Sequence, residues 1–476
     1  MIFNSFSFLI FFLVFYILYL VVRETRIRII LCLIGSYFFY GWWDYRFLSL
    51  IVFSTLVDYY LGRKLYETTD QPTRKRLLHC SLFSNLGLLF FFKYFNFFIE
   101  SFVDISASIG LSADMHTLNI LLPVGISFYT FQTMSYTIDI YKKKLTPENN
   151  IITFATYVAF FPQLVAGPIV RAIDLLPQFH KKITITATQI RVGLFLIVLG
   201  YFKKVVIADS IAPLVDSVFS ASEAYTSLHI AIIVVFYAFQ IYCDFSGYSD
   251  IAIGIGKLLG FNFPTNFNLP YFAKNFSDFW RRWHITLSSW LRDYLYITLG
   301  GNRGGYLFTQ RNLMITMLLG GLWHGANWTF IIWGFLHGLY LIGQRVIEPM
   351  TNRLVQFLPK AISTIIGIAI TFVLVNVAWI FFRSQSIDDA FRILVQIISM
   401  EDISFAGVKQ KFQLFKIIVI ISALVSCELI YYLYRDKVVA LFHNSYIFQI
   451  ILSCIMLWMI LLFGSFASNN FIYFQF

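Results

Sequence analysis

A chain of 476 residues that is 58% hydrophobic and only 13% charged is too apolar for a soluble globular protein. Apolar runs of about 20 residues recur along it, so the formal net charge of +11 is read as topology-setting Lys and Arg rather than as nucleic-acid binding. These features predict an all-α polytopic membrane protein whose solvent is the lipid bilayer, with no nucleic-acid partner.

The apolar runs fall at roughly 5–22, 28–43, 46–62, 77–99, 118–139, 151–170, 188–212 and 228–258, then 312–343, 361–382, 415–434 and 446–466. Several are interrupted, so about eleven or twelve spans are expected, with re-entrant segments among them. The first run is too long for a signal-peptide core and lacks a cleavage-like site, which makes it a retained span. Basic loops follow the first run (Arg23, Arg26, Arg28), the third (Arg63, Lys64, Arg74, Lys75, Arg76) and the fifth (Lys142 to Lys144), whereas the loop around 100–117 carries only acids. The positive-inside rule then puts the N-terminus outside the cytoplasm. Arg435 and Lys437 precede the last run and the tail from Ser468 to Phe476 is uncharged, which places the C-terminus outside as well. Five scattered cysteines show no metal-ligand spacing, and no metal is expected. The whole of 1–476 reads as a single integral-membrane domain, with 471–476 a C-terminal aromatic tail.

Two interruptions stand out. Phe161 to Ile169 breaks a span with Pro162, Gly167 and Pro168, as a kinked or re-entrant element lining a cavity would. Asp244 to Asp250 places two carboxylates and two serines in an apolar run, where they must be paired or hydrogen-bonded, either as packing groups or as members of a relay.

The polar segment 261–311 is rich in cations: Lys274, Arg281, Arg282, Arg292, Arg303 and Arg311 against Asp278 and Asp293. It belongs on the cytoplasmic side, either as a topology anchor or as a cluster that holds the phosphates of a cytosolic donor. From Trp280 onward, apolar residues recur at helical spacing, and the pattern predicts a helix with His284 on its apolar face.

Farther on, Gly320-Gly321-Leu322-Trp323-His324-Gly325-Ala326-Asn327-Trp328 sets a histidine, an asparagine and two tryptophans inside an apolar run. Hydrocarbon cannot hydrogen-bond an imidazole, so His324 must face protein or a water-filled cavity. The glycines let backbones approach closely or let a helix break. Two histidines along a passage suit a base and a positioning group, since imidazole can take a proton from a hydroxyl near neutral pH. The same pieces suit a proton-coupled transporter or flippase with Asp244, Asp250 and His324 as its relay.

The segment from Phe261 to Gly305, with its core Trp280-Arg281-Arg282-Trp283-His284-Ile285-Thr286-Leu287-Ser288 followed by Arg292-Asp293-Tyr294, resembles the membrane-bound O-acyltransferase (MBOAT) family. Gly320 to Trp328 resembles that family's invariant-histidine motif, and Phe161 to Arg171 and Asp244 to Gly260 match it too. The nearest branch is the bacterial one of alginate O-acetyltransferases (AlgI) and peptidoglycan O-acetyltransferases (PatA). The resemblance implies a ring of tilted transmembrane helices around a cytoplasmic funnel with re-entrant segments. It implies His324 as the catalytic residue and His284 as the second family histidine. Trp280, Arg281, Arg282, Arg292 and Asn327 are then candidates to bind donor or line the funnel. No bound cofactor is implied; acetyl-CoA is the implied acyl-donor substrate. An extracytoplasmic SGNH-type partner would complete transfer to an exported polysaccharide from the bacterial cytoplasmic (inner) membrane. D-alanyl transfer of the DltB type is the alternative within the family, although Gly300 to Arg303 and Gly325 to Trp328 favour the acetyl branch.

Phe471-Ile472-Tyr473-Phe474-Gln475-Phe476 can be an interfacial anchor. It also resembles the C-terminal signature of the small DltX subunit of teichoic-acid D-alanylation, where a tyrosine is implicated as an acyl carrier. That resemblance makes Tyr473 a candidate nucleophile carrying an acetyl group outward.

Overall fold

In the computed structural model, residues 1–111, 115–401, 403 and 410–466 are described, without the side chains of 352, 354 and 355. The described chain is helical throughout its ordered elements and forms two compact units, 1–194 with 252–264 and 195–251 with 265–476. Among the described residues, six helices are long and apolar enough to cross a membrane: Gln71–Ser108, Ser227–Leu258, Trp328–Thr351, Lys360–Arg383, Lys411–Leu433 and Tyr446–Phe463. With Phe6–Val21 as a shorter apolar helix, this is a multi-pass membrane protein. The sequence suggested about eleven or twelve spans. Of the other runs, those at 118–139, 151–170 and 188–212 are interrupted, by a left-handed Gly125, by the Phe160–Pro162 break and by a π-helical segment at Phe202–Ala208, while those at 28–43 and 46–62 form the continuous helices Thr25–Gly41 and Leu48–Glu67.

In the first unit, Leu48–Glu67, Gln71–Leu89 and Ile126–Tyr141 pack around a polar centre. Buried Asp58 accepts from Ser81 Oγ at 2.5 Å and from Asn85 Nδ2 at 2.7 Å, while Asn85 Oδ1 accepts from Ser54 and Thr133. Such a carboxylate is tolerable at this depth only because its oxygens are met. The expected interruption at Phe161 is present. The Ile151–Ala159 helix stops, Phe160 turns to ψ 108, and a four-residue helix Phe161–Leu164 follows. Side chains satisfy backbone groups freed there: Phe161 N–H donates to Ser36 Oγ at 3.0 Å, and Gln163 Nε2 donates to Tyr157 O at 2.9 Å.

The second unit contains the Asp244 and Asp250 carboxylates and shows how they are held. The π-helical turn at Phe202–Ala208 turns two consecutive lysines toward Ser227–Leu258. Lys203 Nζ lies 2.7 Å from Asp250, and Lys204 Nζ lies 2.7 Å from Asp244 and 2.9 Å from Asp209. Close approach is possible because glycines meet there: a Cβ on Gly200 would stand 2.4 Å from Gly247 O. Both acids are therefore ion-paired.

Tyr306–His324 and Trp328–Val355 form an antiparallel hairpin whose register runs through glycines. A Cβ on Gly321 would meet Phe330 O at 2.2 Å, one on Gly334 would meet Met317 O at 2.4 Å, and one on Gly338 would meet Met314 Sδ at 2.7 Å. The hairpin tip carries His324.

Candidate active site

His324 is the last residue of Tyr306–His324, only 3% exposed, and Gly325 behind it turns to extended backbone. Its imidazole is walled by aromatic rings, with Trp323 and Trp333 centroids each 5.0 Å away and Phe382 5.2 Å away. Trp333 leads on to a third histidine: its ring is 4.7 Å from that of His337, fully buried, which is itself 5.1 Å from Trp280. The file His324–Trp333–His337–Trp280 thus runs from the hairpin tip down one face of Trp328–Val355. Neither nitrogen of His337 has a hydrogen-bond partner among the described residues.

Beyond Trp280, the same face opens into a cavity of about 530 Å³ lined by Lys274, Arg281, Arg282, Gln344, Arg345 and Glu348 among others. Arg282 donates to Asp278 at 2.8 Å, so its charge is already matched. Lys274, Arg281 and Arg345 have no acidic side-chain partner among the described residues, leaving cations turned to the cavity for an anion to meet.

The helix expected from Trp280 through Tyr294 is broken. Phe276–Trp280 ends, His284 adopts φ 41 and ψ 53, and Ile285–Trp290 begins after it. The cause is the segment 266–268, which lies against the break. Asn268 N–H donates to Arg282 O and Ile285 N–H donates to Asn266 O, both at 2.9 Å, taking backbone groups a continuous helix would use. A left-handed backbone at a non-glycine residue costs about 1–3 kcal/mol and is found where a side chain must be aimed. His284 is fully buried, edge-on to Phe245 at 4.6 Å and 6.0 Å from Trp323, the neighbour of His324. Burial away from water pushes its imidazole down to about 3, which keeps it neutral.

The remaining sequence candidates fall outside this cluster. Arg292 is 63% exposed at its side chain and pairs with Asp293 at 2.6 Å, which holds the guanidinium above its ordinary pKa; it does not line the cavity. Asn327 works as a helix cap: Oδ1 accepts from Thr329 N–H at 2.9 Å while Nδ2 donates to Gln385 O at 3.0 Å. Tyr473 lies outside the described residues. The sequence reading missed His337, Arg345 and Asn266. His337 was legible in principle, four residues after Trp333 on one helical face. Asn266 had no local signal, since its partners are 17 to 20 residues away.

A bundle of apolar helices closing on three buried histidines, with a cation-lined cavity on the same helix, defines a polytopic membrane protein with an enclosed polar centre. The profile of the membrane-bound O-acyltransferase (MBOAT) family matches residues 29–386, and the chain belongs to that family. It is a membrane-bound O-acyltransferase. The chain is 43% identical over 403 residues to the probable alginate O-acetylase AlgI of Azotobacter vinelandii, which covers 84% of this chain and 79% of that one. It is 44% identical over 395 residues to the probable alginate O-acetylase AlgI of Pseudomonas aeruginosa, covering 82% and 74%. Identity to the peptidoglycan O-acetyltransferase of Helicobacter pylori is 38% over 404 residues, covering 79% and 75%.

Proposed function

We propose that the protein moves acetyl groups from cytosolic acetyl-CoA across the bacterial cytoplasmic membrane for O-acetylation of an exported cell-envelope polysaccharide. The observation that carries this reading is the join between a basic cavity and a buried imidazole. Arg281 and Arg345 line the cavity, and the ring file from Trp280 leads to His324. The cavity holds the donor's phosphates, and the pantetheine arm follows the ring file toward the hairpin tip. From Trp333 to Arg345 the helix rises about 18 Å at 1.5 Å per residue, so the two ends are well separated. A long, thin donor with an anionic head suits that separation.

At the tip, His324 accepts the proton of an attacking hydroxyl as its oxygen adds to the thioester carbonyl. The C–O bond forms, the C–S bond breaks, and the proton passes from the imidazole to the departing CoA thiolate. Tyr473 is the proposed hydroxyl. It would carry the acetyl group as an aryl ester and hand it to an external SGNH-type partner, which completes transfer to a polysaccharide hydroxyl, with the phenol restored. In this arrangement the cation-lined cavity faces the cytoplasm, and both termini lie outside it. The names of the three relatives, all O-acetyl transfer enzymes, support acetyl over D-alanyl as the group carried.

Purified protein in lipid, given radiolabelled acetyl-CoA, tests the reading. Acetyl release or transfer should fall about a hundredfold or more in His324→Ala at unchanged folding, within the range that acid-base groups contribute. Undiminished turnover in that variant would overturn it.

A further inference from the structure

Asn266 stands at the centre of a buried network that no functional role yet explains. It is 1% exposed. Its side-chain oxygen is 3.2 Å from Thr286 N and 2.9 Å from Thr286 Oγ1, and its nitrogen is 3.2 Å from Ser249 Oγ. A backbone N–H can only donate, so the amide atom that faces Thr286 N must be the carbonyl oxygen. The orientation of this amide is therefore fixed by chemistry rather than chosen.

The same oxygen is 3.1 Å from His284 Nδ1. Two acceptors do not bond to each other, so Nδ1 must carry the hydrogen and donate. Fully buried among Phe245, Phe267 and Trp323, with no acidic side chain hydrogen-bonded to it among the described residues, His284 holds a single ring proton, and that proton is spoken for. The lone pair is left on Nε2, which has no hydrogen-bond partner among the described residues. The tautomer of a histidine is set by the bond its other nitrogen makes.

We infer that Asn266 is a positioning residue that locks His284 as its Nδ1–H tautomer, so that Nε2 is presented beside Trp323 and the His324 tip as a hydrogen-bond acceptor for an O–H or N–H of the reacting molecules. The segment that carries Asn266 does two jobs at once. Its backbone carbonyl takes Ile285 N–H, which helps hold His284 in the left-handed turn, and its side chain then fixes which nitrogen carries the proton. The ring is aimed by the backbone and its proton is placed by the amide. Part of this inference, the use of Nε2 in turnover, rests on the acyl-transfer reading; the tautomer does not.

The test is solid-state NMR of the full chain in lipid, labelled with ¹³C,¹⁵N-histidine, the His284 signals being assigned by their loss in His284→Gln. Wild-type protein should show protonated Nδ1 and bare Nε2. In Asn266→Leu, which removes the acceptor but keeps the branched shape, the Nδ1–H form should no longer dominate; Asn266→Asp keeps an acceptor and should keep Nδ1 protonated. Turnover of acetyl-CoA at saturation should fall about a hundredfold in Asn266→Leu, the low end of what acid-base placement contributes, and recover at least partly in Asn266→Asp. An Nε2–H tautomer in the wild type overturns the inference without any variant having to fold. A lost Nδ1–H signal with unchanged kcat overturns the use of Nε2 in turnover. If wild-type protein neither hydrolyses nor transfers from acetyl-CoA while the tautomer is as stated, the acyl-donor reading has failed and the positioning role of Asn266 has not.

Discussion

Gly321 and Phe330 touch across the hairpin so closely that a Cβ on the glycine would lie 2.2 Å from the Phe330 carbonyl oxygen. Backbone, not a flexible side chain, occupies the space, so nothing can swing aside. Gly321→Ala should force the Tyr306–His324 and Trp328–Val355 helices apart and displace His324, at a cost of about 1–3 kcal/mol or more. Gly343→Ala, on the partner helix Trp328–Val355, meets nothing within 4 Å and should be neutral or slightly stabilising, since alanine is favoured over glycine in a helix. Midpoints of unfolding in detergent compare the two; equal midpoints would mean that the close contact is not what sets the hairpin.

That contact also shows what was legible in the sequence. Gly320, Gly321 and His324 stood out because glycine and an ionisable side chain are both costly inside an apolar run unless something requires them. The same logic marked Asp244 and Asp250, yet their partners Lys203 and Lys204 lie in a different run and only the π-helical turn at Phe202–Ala208 brings them round. A hydrophobic pattern with a period of 3.6 carries no sign of a π-turn. His284 was singled out as a site candidate but placed on a continuous helix, because the break is imposed by hydrogen bonds with Asn266 and Asn268, residues remote from the pattern being read. The basic cavity was half legible: Arg281 and Arg282 sit in an evident cluster, while Arg345 comes from another helix.

Lys204 holds two buried carboxylates, Asp209 and Asp244, with all three side chains 3–4% exposed. Lys204→Met would remove the lysine those two acids share and take a cation from between two buried carboxylates, a change that costs about 3–5 kcal/mol when one partner of a buried pair is lost. The expected result is a large drop in folded yield and unfolding midpoint, with near-normal acyl transfer per folded molecule. A variant that folds as well as wild type but transfers nothing would return these groups to the relay role that the sequence left open.

Arg281 and Arg282 are neighbours with different fates. Arg282 is tied to Asp278 and donates to Asn268 O at 3.3 Å, so Arg282→Ala should loosen the segment around His284 and lower stability. Arg281 and Arg345 line the cavity without acid partners among the described residues. Charge-assisted bonds to an anion contribute about 1.5–3 kcal/mol. Arg281→Ala and Arg345→Ala should therefore each raise KM for acetyl-CoA about tenfold or more, with kcat little changed and the difference from wild type shrinking in high salt. Unaltered KM in the double variant would remove the cavity from the donor path.

Tyr473 provides the sharpest separation between two roles of one side chain. As an interfacial anchor, its ring is what counts, and phenylalanine would serve nearly as well. As an acyl carrier, only the hydroxyl matters, because a phenol with a pKa near 10 becomes a competent nucleophile at neutral pH once a base such as His324 takes its proton. Tyr473→Phe should then abolish acetylation of the exported polymer at normal protein level. Acid-quenched wild-type protein incubated with labelled acetyl-CoA should retain label as a hydroxylamine-sensitive ester, absent from both Tyr473→Phe and His324→Ala. Full surface acetylation in Tyr473→Phe would leave the tail as an anchor and require the acetyl group to reach its acceptor without a covalent stop on this chain.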